Sequence, residues 1–110
     1  MSALLLCMEG RIKMKLMISQ PMRGKTNEQI REERAELVKQ LETEGHEVVD
    51  TVFENAPENE DIAIYMLSQS IRYIGKVDGV VFMQGWENAR GCRIEYEVAT
   101  AYGKFVKELN

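Results

Sequence analysis

Cysteine, proline, histidine and tryptophan are all scarce in this chain of 110 residues, which has two, two, one and one of them. The two cysteines, Cys7 and Cys92, are too few for the disulfide framework of a small secreted domain, and seven methionines fit a reducing compartment. A cytoplasmic location is therefore expected. With His46 as the single histidine, no set of ligating side chains at metal spacing forms, so neither metal nor cofactor is expected. His46 itself follows Gly45 and is read as a turn or strand-edge residue rather than a base.

Positive charge is also in deficit. Fourteen Lys and Arg stand against 18 Asp and Glu, interleaved along the chain, for a net charge of -4. No basic field exists to attract a nucleic-acid polymer, whereas a small anionic ligand needs only one or two local cations. Long apolar runs are missing too. The stretch Ala3–Met8 is shorter than a signal peptide's hydrophobic region and far below the roughly 20 residues that span a membrane. Neither a targeting segment nor a membrane partner is expected.

Hydrophobic residues make up 45% of the chain, enough for one core and too little for two. Met14 opens a better-formed strand than anything before it, so residues 1–13 read as an N-terminal extension of unassigned role and 14–110 as one domain. Met14 to Ser19 is short, apolar and followed by a Pro and Gly turn, the pattern of a buried parallel strand. The cap residues Thr26 and Asn27 then open a helix with Ile30, Leu37, Val38 and Leu41 on one face, stopped by Gly45. Arg34 falls on that apolar stripe, so its stem is expected to cover the core while its head reaches a rim or a subunit contact.

Glu47 to Phe53 reads as the second strand and Asp61 to Ile74 as the second helix, with Ile64, Leu67, Ile71 and Ile74 at helical spacing and Gly75 closing it. Asp78 to Met83 is the most strand-like run. A loop from Gln84 to Arg90 leads into a third helix, Gly91 to about Tyr102, ended by Gly103, with a short final strand near Lys104 to Val106. Strands alternating with such helices demand right-handed crossovers. The expected fold is a small three-layer α/β domain of Rossmann or flavodoxin type, a parallel sheet with helices on both faces.

Ligands in such sheets sit beyond the carboxyl ends of the strands, where two loops stand out. In the first, Ser19 to Thr26, Gly24-Lys25-Thr26 resembles the end of a phosphate-binding P-loop, but Ser19 replaces its first glycine and Pro21 removes a backbone donor. Ser19, Gln20, Met22, Arg23 and Gly24 then form either a seat for a phosphate or carboxylate at a helix N-terminus or an ordinary strand-to-helix turn. In the second loop, Gly85 to Gly91, Trp86 is either a stacking platform for a base or sugar or an aromatic plug over the sheet end.

The third helix separates two acids. Glu97 lies four residues from Arg93 and reads as an Arg-paired surface residue, while Glu95 shares its side with Cys92, Ala99 and Tyr102 and points toward the crevice. Cys92 is read as a packing residue rather than a low-pKa thiol. A carboxylate at Glu95 is suited to attack an anomeric carbon and form a glycosyl-enzyme intermediate, the alternative being a solvated helix glutamate.

Ile18 to Gly24, Asn27 to Ile30, Gly45 to Val48, Asp78 to Met83, Gly85-Trp86-Glu87 and Gly91 to Glu95 with Ala99 and Gly103 together form a pattern. From Met14 to about Val106 it resembles the nucleoside 2-deoxyribosyltransferase-like superfamily, closest to a small bacterial and phage family in it. The resemblance implies cleavage or transfer at the N-glycosidic bond of 2-deoxyribonucleosides or their 5′-monophosphates, with Glu95 as nucleophile. It implies that Arg23-Gly24 and Asn88, Ala89, Arg90 and Gly91 grip phosphate or sugar, with Trp86 near the base. Three positions depart from the superfamily's pattern: its Tyr falls at Met17, its catalytic Asp at Ser70 and its phosphate-binding Ser at Ala89. A nucleotide-binding module without catalysis is the alternative. The small sheet's exposed edge or a helix face is expected to pair with a second subunit, giving a homo-oligomer whose neighbouring subunit completes the site.

Overall fold

A computed structural model of the chain describes residues 13–109. The extension expected over residues 1–13 lies outside the described residues apart from Lys13, and so does Cys7. The elements run β1 (Lys15–Ser19), α1 (Asn27–Thr43), β2 (Glu47–Val48), α2 (Ile62–Ile74), β3 (Gly79–Phe82), a 3₁₀ turn (Trp86–Asn88), α3 (Arg90–Ala101) and β4 (Phe105–Glu108). All four strands are parallel, in the order β2-β1-β3-β4. This is the parallel α/β architecture of Rossmann and flavodoxin-like domains. Among the described residues no helix is long and apolar enough to cross a membrane.

The central pair sets the layers. Leu16 to Ser19 of β1 lie in register with Gly79 to Phe82 of β3, and successive side chains must alternate between faces. Leu16, Ile18 and Val81 accordingly meet Leu37 and Leu41 of α1 on one face. Met17, Val80 and Phe82 meet Ile74 of α2 and Cys92 and Ala99 of α3 on the other. Each Val, Leu, Ile, Met or Phe among them contributes about 1.5–3 kcal/mol through the apolar surface it removes from water.

Local chemistry fixes the helix starts. The Thr26 hydroxyl accepts from Gln29 N at 3.1 Å while Gln29 Oε1 accepts from Thr26 N at 2.8 Å, a reciprocal cap for α1. Asp61 Oδ1 accepts from Ile64 N at 3.0 Å and caps α2. His46 is buried, and its Nδ1 accepts the Met14 N–H at 3.0 Å, which ties the turn after α1 to the entry of β1.

Three expectations need correction. Strand pairing in β2 ends at Val48, not Phe53. After the Val49 N–H bonds Leu16 O, the Asp50 carboxylate accepts Val52 N at 2.9 Å, and the Thr51 hydroxyl, not the backbone, reaches Ile18 O. On α2 the buried positions are Ser70 and Ile74, while Ile64 is exposed, because the helix presents a different face to the sheet than its apolar spacing suggests. Arg93 does not pair with Glu97, since its guanidinium turns back to donate to Glu87 O at 3.0 Å.

Gly79 is held by close approach rather than by a turn. A Cβ there would lie 2.7 Å from Phe105 O on the neighbouring strand, too near for any side chain without moving backbone. Gly79→Ala is therefore expected to lower stability by about 1–3 kcal/mol, the usual cost of overpacking. Urea unfolding followed by circular dichroism should show an earlier midpoint with an unchanged slope.

Candidate functional site

The chain leaves β1 toward β2 on one side and returns to β3 on the other, so the order reverses between β1 and β3. The crevice beyond their carboxyl ends is where such sheets hold ligands. The two loops that leave there touch: Gly85 has a left-handed φ of +90°, and a Cβ on it would stand 3.7 Å from Pro21 Cγ. Of the residues gathered at this end, the open grooves of about 430 Å³ on the outer side of α1 and 340 Å³ between α1 and β2 include Arg34 alone, in the second. Buried polar groups mark the site instead.

Pleating decides which of them meet. Ser19 projects on the same face as Met17, toward α3. There Cys92, Glu95 and Ala99 form the buried side of the helix, as their spacing predicts. Glu95 is the one buried carboxylate among the described residues. Its Oε2 turns back along the helix, so that a Cβ on Gly91 would meet it at 3.8 Å. Burial pushes the Glu95 carboxyl from its ordinary 4.5 up to about 7, against the opposing pull of the Ser19 hydroxyl and the Arg34 charge. The Ser19 hydroxyl is buried beside Glu95 and Cys92 without a hydrogen bond of good geometry. Burial also pushes the Cys92 thiol up to about 11, so it packs as a neutral group.

Arg34 comes from the other side of the sheet. Its head does not reach a rim, as expected, but is buried: Nε donates to Gln20 Oε1 and Nη1 to Thr51 Oγ1 at 3.3 Å. Gln20 is held in turn by donating from Nε2 to Ile30 O at 3.1 Å. Desolvation lowers the Arg34 pKa, with Asp50 and Glu95 acting in the opposite sense.

The remaining candidates are spread around this nucleus. Ser19 and Gln20 are buried in it, Met22 is half-buried, and Arg23 and Gly24 stand exposed. Asn88 and Arg90 are exposed and Ala89 and Gly91 half-buried, at an α3 N-terminus whose cap residue, Ala89, offers no side-chain acceptor. Trp86 is an aromatic plug: it is buried, stacks on Tyr96 at 4.5 Å between centroids and tilts against Phe82 at 5.3 Å. Met17 is fully buried one pleat before Ser19, and Ser70 is buried on α2. Among the described residues no three His, Cys, Asp or Glu side chains cluster to hold a metal. Arg34 and Thr51 join the site unannounced by motif, although a charge on the apolar stripe of α1 was a signal for the first.

Fold and site together define a small parallel α/β domain with a protonatable carboxyl at its topological switch point. The chain belongs to the family described as a domain of unknown function, DUF4406, which matches residues 14–108. No curated protein and no solved structure matches it.

The raised Glu95 pKa makes stability depend on pH. The fold favours the protonated carboxyl, so this contribution is complete below about 4.5 and is lost as pH rises through about 7. Glu95→Gln is neutral throughout and is expected to gain on the native chain across that window, reaching about 3 kcal/mol at pH 8. Urea titrations of both proteins at pH 4, 6 and 8 read the widening difference.

Proposed function

We propose that this domain cleaves or transfers at the N-glycosidic bond of 2-deoxyribonucleosides or their 5′-monophosphates, with Glu95 as nucleophile. The observation that carries the reading is Glu95, the one buried carboxylate among the described residues, at the β1–β3 switch point in the position that the superfamily resemblance assigns to the nucleophile. A Glu95 oxygen attacks C1′, the C1′–N bond breaks, and its electron pair leaves with the base, which takes up a proton. The ester formed is opened at C1′ by water or a second base, freeing the carboxylate and retaining configuration. Arg23 and the open N–H groups at the start of α3 are suited to bind a 5′-phosphate or sugar hydroxyls.

A second reading, a binding module without turnover, draws on a specific observation. The resemblance puts Ser70 at the superfamily's acid position, and among the described residues no other carboxylate is buried alongside Glu95 to protonate a leaving base. Loss of a positioned acid costs about 10²–10⁴-fold in rate.

A panel of deoxynucleosides and deoxynucleoside monophosphates, with free base followed by chromatography, separates the two. Release that Glu95→Gln abolishes supports the enzyme. Absence of release with ligand-dependent thermal stabilisation supports the binding module, and neither signal removes both readings for this panel.

The domain is further proposed to act as a homo-oligomer through α2. This helix carries one charged residue, Arg72, among its thirteen, and Ile62 and Ile64 are 65% and 66% exposed. A face so poor in charge suits an identical face across a two-fold axis better than a charged partner. Light scattering should give a mass above the 12.6 kDa of one chain, and Ile62→Asp with Ile64→Asp should reduce it to a monomer.

A further inference from the structure

Backbone pairing of β1 with β3 ends where Met83 N donates to Ser19 O at 2.9 Å, and the next residue, Gln20, holds the chain by its side chain. Gln20 is buried with both ends of its amide engaged: Oε1 accepts from Arg34 Nε, and Nε2 donates to Ile30 O at 3.1 Å. Arg34 is fixed in turn by Thr51, to which Nη1 donates at 3.3 Å and whose hydroxyl reaches Ile18 O. The end of β1, helix α1 and the chain after β2 thus meet at one guanidinium. The amide cannot turn over in this setting, because its donor end would then meet the guanidinium and its acceptor end the carbonyl.

The loop that Gln20 opens is short and stiff. Pro21 fixes φ directly after it, and Met22 to Lys25 form a turn closed by Lys25 N to Met22 O at 3.1 Å, with Gly24 at a left-handed φ of +79°. Thr26 then caps α1. Of the loop's two cations, Lys25 is bound to Glu33 at 2.7 Å, whereas Arg23, in the turn, is exposed and joins none of the ion pairs among the described residues. Arg23 is therefore the loop's cation open to an anion, and the backbone that carries it decides where it stands. Resting on the reading of this loop as a phosphate seat, we propose that Gln20 is its positioning residue, with Arg34 as the support: the clamped amide holds the turn so that Arg23 meets the 5′-phosphate of a bound nucleotide.

The test uses the full chain in three variants. Gln20→Met keeps the length of the side chain and loses both bonds, Gln20→Glu keeps an acceptor for Arg34 and loses the donor to Ile30 O, and Arg34→Lys keeps the charge but not the planar fork. Amide hydrogen exchange followed by ¹⁵N NMR reads the loop without any ligand. In Gln20→Met the Lys25 amide is expected to exchange about tenfold faster relative to the Val81 amide at the centre of the sheet, with smaller rises in Gln20→Glu and Arg34→Lys. An unchanged ratio, whether both amides quicken together or neither moves, overturns the proposal, and Arg34→Lys decides by the same ratio if Gln20→Met does not fold. Titration with a deoxynucleoside and its 5′-monophosphate then reads the phosphate contribution: Gln20→Met should cut the native preference for the monophosphate about tenfold. A preference that is not cut overturns the proposal. A native chain without that preference counts against the phosphate reading of the loop, whereas the exchange ratio judges the Gln20 clamp separately.

Discussion

Everything in this domain hangs on the pairing of β1 with β3. Four residues of each strand are locked in parallel register, and all of them are buried. A strand pair covered on both faces leaves each side chain a single destination, because a shift of one residue would send every side chain to the opposite face. That alternation puts Met17 and Ser19 under α3 and Leu16 and Ile18 under α1. Gly79 tightens the arrangement, its missing side chain allowing β4 to lie against β3. The candidate site is a consequence of the same register, since Ser19 and Phe82 are the last paired residues of the two strands. The loops that follow them meet beyond that point.

At this end the hydrophobic logic of the sheet gives way to a buried carboxyl and a buried guanidinium. Neither belongs to an ion pair within 4 Å among the described residues, and both titrations shift chiefly by desolvation. Arg34 is offset by hydrogen bonds to Gln20 and Thr51, whereas the Glu95 carboxyl is favoured in its neutral form near and below pH 7. The aromatic group Phe82, Trp86 and Tyr96 packs close by and covers the end of β3.

Much of this was legible because it is local. The alternation of apolar residues in β1 and β3, the caps of α1 and the helical spacing of Cys92, Glu95 and Ala99 each depend on neighbours a few residues away. What was not legible depends on distant partners. Arg34 finds acceptors 14 and 17 residues away, so its depth could not be read from the α1 stripe alone. The spacing of Ile64, Leu67, Ile71 and Ile74 announced an apolar face on α2, yet which face meets the sheet is decided by packing against β3 and α3. In β2, one side chain, Asp50, ended a strand that propensity would have continued to Phe53. Trp86 had two physical roles open to it, and only the position of Tyr96 assigned the plug.

The cost of Glu95 bears on its purpose. An ionised carboxylate with a pKa raised to about 7 subtracts stability at neutral pH, and about 3 kcal/mol is a large share of the 5–15 kcal/mol that holds a typical domain together. Glutamine would fill nearly the same volume and offer the same helix a neutral amide, so packing alone gives no reason for the acid. A carboxyl poised near pH 7 does offer both an acceptor and a donor under the conditions where a cell works. In the proposed role of nucleophile it would have to be ionised, which the environment opposes through burial and assists through the Ser19 hydroxyl and the Arg34 charge. An anionic ligand entering the crevice would raise its pKa further, whereas binding a cationic or electron-poor sugar centre would favour the charged form. In the proposed role the carboxyl is therefore least reactive when neutral and sheltered, and gains reactivity as positive charge develops at the carbon it would attack.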